Sequence, residues 1–170
     1  MNGDDVLDIR YAKILDVPNL KSWFQKPEVL YWTAMSDLKE IEIEVSHWMR
    51  FFRYNASLTA TMHGVPCAMA TLFLLPYKKV SHHCFFKLCI DPKYRRLGVE
   101  NALIKNIKHL AKTQFYLESV TVEVFAGDPL LPFLIQNDFQ EFARQERYVK
   151  NGTTYQARIL LEAQLKEGIS

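Results

Sequence analysis

The sequence is poor in cysteine and glycine, carries little net charge, and has no long apolar run. Each shortage closes off a class of protein. The longest apolar stretch, Val65 to Leu75, is interrupted by Pro66, Cys67 and Thr71 and is too short to span a bilayer. The first residues, Met1 to Asp8, carry acids and no apolar segment of the kind that directs secretion. Only three cysteines occur, Cys67, Cys84 and Cys89, without a CxxC spacing. They lie in apolar, strand-like runs, so they read as buried free thiols suited to a reducing cytoplasm. A formal net charge of +2 excludes a large basic excess for phosphate neutralisation, so no nucleic-acid partner is expected. The cluster Lys105, Lys108 and Lys112 reads as a solvated helix face. His82, His83 and Cys84 are adjacent on a strand, alternate between its faces, and cannot converge on one ion. No metal site is expected.

What is present is a foldable chain of 170 residues, 49% apolar and 24% charged, with no repeat, linker or low-complexity tract. That composition predicts one domain, residues 1–170, with a substantial core. Leu7, Ile9 and Tyr11 alternate with polar residues as a first strand. Asp16 precedes Val17-Pro18 as a helix N-cap, and the helix should end near Gln25, before Pro27. Ile41, Val45, Trp48, Met49 and Phe52 recur at helical spacing over Asp37 to Asn55. Ser57 to Met62 and Val65 to Leu75 form a hairpin about His63-Gly64. A strand, His82 to Ile90, leads into a polar loop and then a helix striped by Val99, Leu103, Ile107 and Leu110. Ser119 to Phe125 alternates, with Val120, Val122 and Val124 on one face and Thr121 and Glu123 on the other. A short helix near Leu130 to Gln136 follows, and two strands, about Phe142 to Val149 and Thr154 to Leu161, flank the turn Asn151-Gly152 and complete the chain. The order β-α-α-β-β-β-α-β-α-β-β implies an α/β fold, a mixed sheet with helices on both faces.

The segment Cys89 to Leu103 carries the chemistry. A strand ends, a basic loop with one glycine follows, and a helix begins. Amides at a helix start are unpaired and lie at the positive end of the helix dipole. Gly98 lets an anion approach the backbone, and Arg95 and Arg96 add charge-assisted donors, an arrangement suited to a diphosphate.

These residues resemble motif A of the GNAT-superfamily N-acetyltransferases, Gln/Arg-x-x-Gly-x-Gly/Ala after an Asp-Pro-x-Tyr-Arg lead. Asp91-Pro92-Lys93-Tyr94-Arg95 matches the lead, Arg95 the first motif position and Gly98 the central glycine. Glu100 stands where the family has glycine or alanine. Asp16, Leu20, Trp23, Pro27, Val29 and Trp32 resemble the first helix and turn of the branch holding ribosomal-protein N-terminal, aminoglycoside and siderophore-precursor acetyltransferases. Trp23 and Trp32 either pack in the core or line the acceptor site.

The resemblance implies a largely antiparallel, twisted GNAT-like sheet and transfer of an acetyl group from acetyl-CoA to a primary amine. The alternative is a related domain that binds acyl-CoA or a protein partner without turnover. It further implies that Leu88, Cys89 and Ile90 flank the pantetheine arm. A backbone N–H near Leu88 or Cys89 would polarise the thioester. Arg95, Arg96, Leu97, Gly98, Val99 and Asn101 would hold the diphosphate, and Glu123 would be the base. The family's tyrosine acid is replaced by Leu134 and its glycine by Asp138. Gly127-Asp128 lies where its asparagine is expected, and Tyr31, Tyr148 and Tyr155 are other hydroxyls in the chain. The expected partner is an amine acceptor, the assembly a monomer or homodimer, and no membrane partner is expected.

Overall fold

The computed structural model describes residues 6–166, in seven strands and five α-helices with short 3-10 turns between them. β1 (Leu7–Tyr11) is followed by α1 (Val17–Phe24), α2 (Pro27–Leu30) and α3 (Leu38–Met49). β2 (Ser57–Met62), β3 (Val65–Leu74) and β4 (His83–Ile90) come next, then α4 (Val99–Thr113). β5 (Ser119–Phe125), α5 (Leu131–Gln136), β6 (Gln140–Asn151) and β7 (Thr154–Gln164) complete the chain. The strands form one sheet in the order β1-β2-β3-β4-β5-β7-β6. Every neighbouring pair is antiparallel except β4–β5, which is parallel.

Helices cover both faces because the strands alternate. Cys84, Phe86 and Ile90 of β4 and Val120, Val122 and Val124 of β5 join Leu103, Ile104 and Ile107 of α4 in one core. Met69 and Cys89 point the other way, into a second core with Leu20 and Trp23 of α1 and Ile41, Val45 and Trp48 of α3. Trp23 is therefore a core residue, 3% exposed.

Several local expectations need correction. Asp16 precedes α1, but its side chain makes no capping bond. It is buried instead against Arg10, Thr59 and the Lys13 amide. α1 stops at Phe24, and Pro27 begins α2 rather than merely ending a helix. The helix opened by Asp37, which does cap it by accepting from the Glu40 amide, ends at Met49, and a 3-10 turn covers Phe52–Tyr54. His63 and Gly64 both take positive φ, 50° and 79°, as a two-residue hairpin turn of type I′ requires. In the last hairpin Asn151 pairs with Thr154, so the turn is Gly152-Thr153, one residue later than expected. Lys108 is not merely solvated; its Nζ donates to the Asn137 carbonyl at 2.6 Å and tethers the end of α5.

Cys67, Cys84 and Cys89 are buried free thiols. Among the described residues no group of three or more His, Cys, Asp or Glu is placed to hold a metal ion. No described helix is long and apolar enough to cross a membrane.

Candidate active site

The site begins where two parallel strands part. β4 and β5 pair only at His83↔Ser119, Cys84↔Val120 and Phe85↔Thr121. Beyond these, Phe86 to Ile90 and Val122 to Phe125 diverge and leave strand edges facing a gap. Register decides which amides face it. The Asp91 amide donates to the Cys67 carbonyl on β3, and β3 and β4 pair without a register break. In an antiparallel ladder, bonded pairs alternate, so Cys89 and Lys87 also turn their N–H groups to β3. Leu88 and Ile90 turn theirs to the gap. Of the two residues considered as thioester donors, Leu88 has the free orientation; the Cys89 amide pairs with Met69.

The loop before α4 shapes one end of the gap. Arg96 and Gly98 both have left-handed backbones, φ 62° and 86°. Such turns gather successive amides around a concavity that attracts anions. A Cβ at Gly98 would meet nothing within 4 Å, so the glycine serves backbone conformation and open approach. The loop is stitched to α2. Lys26 Nζ contacts Asp91 at 2.6 Å, and Arg95 donates to the Glu28 carbonyl at 3.3 Å. Arg95 lines a small cavity of about 90 Å³ with Trp32, Leu88, Ile90, Glu100 and Asp128. Leu97 is exposed, whereas the Val99 side chain is in the core. Asn101 accepts from the Asn137 side chain at 2.8 Å. The Val99 side chain is thus turned away from the loop, and the Asn101 side chain is engaged with α5. Glu100 is buried: one carboxylate oxygen accepts from the Arg96 amide at 3.3 Å, and the other has no partner.

A larger cavity of about 370 Å³ lies on the α3 side of the gap and shares Phe24, Trp32, Leu88 and Asp128 with the first. Trp32 therefore lines the site, unlike Trp23. Glu123 lies in this cavity with Glu44, Lys87, Phe85, Phe125 and Tyr148. Arg158 donates to Glu123 at 2.9 Å, and its guanidinium lies 4.3 Å from the Tyr148 ring centroid. Glu44 accepts from Trp48 Nε1 at 3.1 Å and pairs with Lys87. Burial raises the Asp128 pKa, against the pull of the Leu130 amide and Arg95. Of the other tyrosines, Tyr31 and Tyr155 are 57% and 40% exposed and line neither cavity.

Sequence reasoning missed Glu44, Lys87 and Arg158. Their partners lie 43, 43 and 35 residues away, and nothing local marks them.

No family model matches the sequence, and no curated protein is similar to it by sequence. Solved structures are. yncA of Salmonella typhimurium, solved with its cofactor acetyl-CoA, superposes with a TM-score of 0.80 at 11% identity, covering 98% of each chain. An N-acetyltransferase from Staphylococcus aureus Mu50 gives 0.78 at 15% identity, covering 94% of this chain and 99% of the other. The ribosomal-protein-S18-alanine N-acetyltransferase of Escherichia coli gives 0.70 at 14%, covering 95% and 96%. The chain has the fold of the GNAT acetyltransferases.

Proposed function

We propose that the chain is an N-acetyltransferase that moves an acetyl group from acetyl-CoA to a primary amine, on a small molecule or a protein N-terminus. The observation that carries this reading is a pair of adjoining cavities that share Trp32, Leu88 and Asp128. One is lined by Arg95 of the loop before α4 and the other by the Glu123 carboxylate, with the Leu88 amide turned to the gap between β4 and β5. Acetyl-CoA supplies an activated acetyl thioester. The loop amides and Arg95 hold its diphosphate end, and β4 aligns its arm through Leu88 and Ile90. The Leu88 N–H stabilises the charge that develops on the carbonyl oxygen. Glu123 takes the proton that the acceptor amine must lose, directly or through water. Trp32 and Tyr148 wall the acceptor end. The buried free thiols suit the cytoplasm.

A second reading, a domain that binds acyl-CoA or a protein partner without turnover, draws on Leu134. It replaces the tyrosine acid of the resembled family and lies wholly in the core, 0% exposed.

Two measurements test the proposal. Acetyl-CoA should raise the melting temperature, since a ligand at about 100 times its Kd adds about 2.7 kcal/mol to the native state. Gly98→Asp should abolish that shift, because it places a β-carbon on a left-handed backbone and a negative charge beside the diphosphate. Thiol release should then be followed over a panel of amines, peptides and aminoglycosides. An equal acetyl-CoA shift in both proteins would reject the site. A shift in the wild type with no acceptor turned over would favour the second reading.

A further inference from the structure

Glu100 is the second residue of α4, yet it is only 3% exposed. A carboxylate at a helix start normally reaches into water or caps the helix. A capping-box acid stands at the third helical position and returns to the N-cap amide. Glu100 stands one position earlier and bonds the amide of Arg96, two residues ahead of the N-cap Gly98. Its contact is with the anion-binding loop, not with the cap of its own helix.

The second oxygen makes the contact unusual. Oε2 is buried and has no hydrogen-bond partner. A buried ionised oxygen without a partner is costly, so some other force must hold it inward. The groups around it supply that force. Arg95 lines the same cavity, Arg96 gives its amide, and the start of α4 presents the positive end of a fifteen-residue helix dipole. Two acids work against it: Asp128 faces the cavity from the turn after β5, and Asp91, paired with Lys26, precedes the loop. Burial pushes the nearby Cys67 thiol up to about 11, with smaller contributions from Asp91 and Glu100. These are the surroundings of a bound anion, and the anion is part of the chain.

We infer that Glu100 is the resident anion of the Arg95–Gly98 loop, occupying the place of a diphosphate, and that a diphosphate-bearing ligand must displace it. This rests on the reading that the loop takes the diphosphate of coenzyme A. Glu100 then sets the affinity for the phosphate end of the ligand more than for the arm beside β4, although it shares a cavity with Leu88 and Ile90. Displacement moves the carboxylate into water, where its orphaned oxygen finds donors. A glycine or alanine at this position would leave the loop open.

The experiment is calorimetry on the wild type, Glu100→Gln and Glu100→Ala with three probes: inorganic pyrophosphate, coenzyme A and pantetheine. Removing a charge that competes for the same donors should tighten pyrophosphate and coenzyme A by about tenfold or more, Ala at least as much as Gln. Pantetheine affinity should change several-fold less than that of pyrophosphate. Thermal melts without ligand check folding; Gln can keep the Arg96 amide bond, whereas Ala gives it up. The isosteric Gln variant keeps the test valid should Ala perturb the helix start. Pyrophosphate affinity that is unchanged or weaker in both variants overturns the inference. So does an equal gain for pantetheine, which would mean a general loosening of the site. The two readings separate cleanly. Tighter pyrophosphate with no coenzyme A binding by any form would retain Glu100 as resident anion and reject the acetyltransferase. Acetyl-CoA-dependent thiol release with no gain in either variant would do the reverse.

Discussion

Arg158 on β7 reaches diagonally across to Glu123 on β5 and donates from Nη1 to Oε2 at 2.9 Å. The two lie one ladder step apart, since Arg158 is level with Phe125 and Glu123 with Leu160. The same guanidinium lies over the Tyr148 ring, so Glu123, Arg158 and Tyr148 form one connected group beside the larger cavity.

The first prediction concerns that pair. Glu123→Gln keeps the shape and removes the proton acceptor. It should lower kcat by about 100- to 10,000-fold, the usual contribution of a positioned base. Acetyl-CoA affinity should be nearly unchanged, because Glu123 is remote from the phosphate loop. Arg158→Leu should lower kcat less, since the carboxylate remains but loses its orientation. Steady-state kinetics with calorimetry separate the effects, and a Glu123→Gln protein as active as wild type removes Glu123 from the mechanism.

A second prediction follows from the network at Asp16. The carboxylate, 3% exposed, accepts from both Arg10 nitrogens, the Lys13 amide and Thr59, at 2.8 to 2.9 Å. Burial alone would raise its pKa, but these bonds outweigh burial and leave it below the ordinary carboxylate value. A depressed folded pKa contributes stability that is fully present above the unfolded value of about 3.9 and lost as pH falls through the folded one. Asp16→Ala should cost about 2–4 kcal/mol at neutral pH, below the full penalty of a broken buried pair because Arg10 is partly solvated. Urea unfolding from pH 7 to 2 should show the gap between the proteins closing only in strong acid. A gap independent of pH would deny the charge a role.

Asp16 also shows where sequence reading reaches its limit. An acid before Val17-Pro18 carries the local mark of a cap, and nothing in the neighbouring residues announces Thr59, 43 positions on. Local signals served well where the physics is local. Ser119 to Phe125 has the expected strand ends: Val120, Val122 and Val124 fill the core under α4, and of the other face only Glu123 is exposed. The glycine expected at position 138 is an aspartate, yet its φ of 69° keeps the left-handed turn that favours glycine. β6 was found too short because it is the sheet edge, exposed on both sides, so its sequence carries no alternation. The strand, loop and helix around Gly98 were legible locally, and Gly98 is the left-handed N-cap of α4; the diphosphate role came from the family resemblance. The inward turn of Glu100, the free Leu88 amide and the Arg158 contact depend on register and packing between distant segments, which no window of sequence contains.

The third prediction revises an idea that the sequence invites. Leu134→Tyr would supply the hydroxyl of the resembled family, which under the proposed function points to faster turnover. Leu134, however, is 0% exposed in the core beneath α4 and lines neither cavity. A ring there overfills a closed space and buries a hydroxyl, so the variant should lose about 1–3 kcal/mol without gaining rate. Thermal melts and thiol release decide it; a stable and faster variant would put the hydroxyl within reach of the sulfur after all.

Among the described residues, Tyr148 is the only tyrosine lining either cavity, and it is the candidate proton donor to the departing thiolate. It stands 38% exposed, with its ring 6.1 Å from Phe125 and beneath the Arg158 guanidinium. A thiolate leaves tolerably well without help, so the loss on Tyr148→Phe should sit at the low end of the general-acid range, about 100-fold in kcat. The phenylalanine keeps the wall and the cation–π contact, so the acceptor KM should barely move. That split is the discriminating readout. A lower kcat at constant KM marks a group used after the substrates are bound, whereas a raised KM at constant kcat marks a binding wall. If kcat is unchanged, the thiolate takes its proton from water, and the tyrosine shapes the acceptor pocket alone.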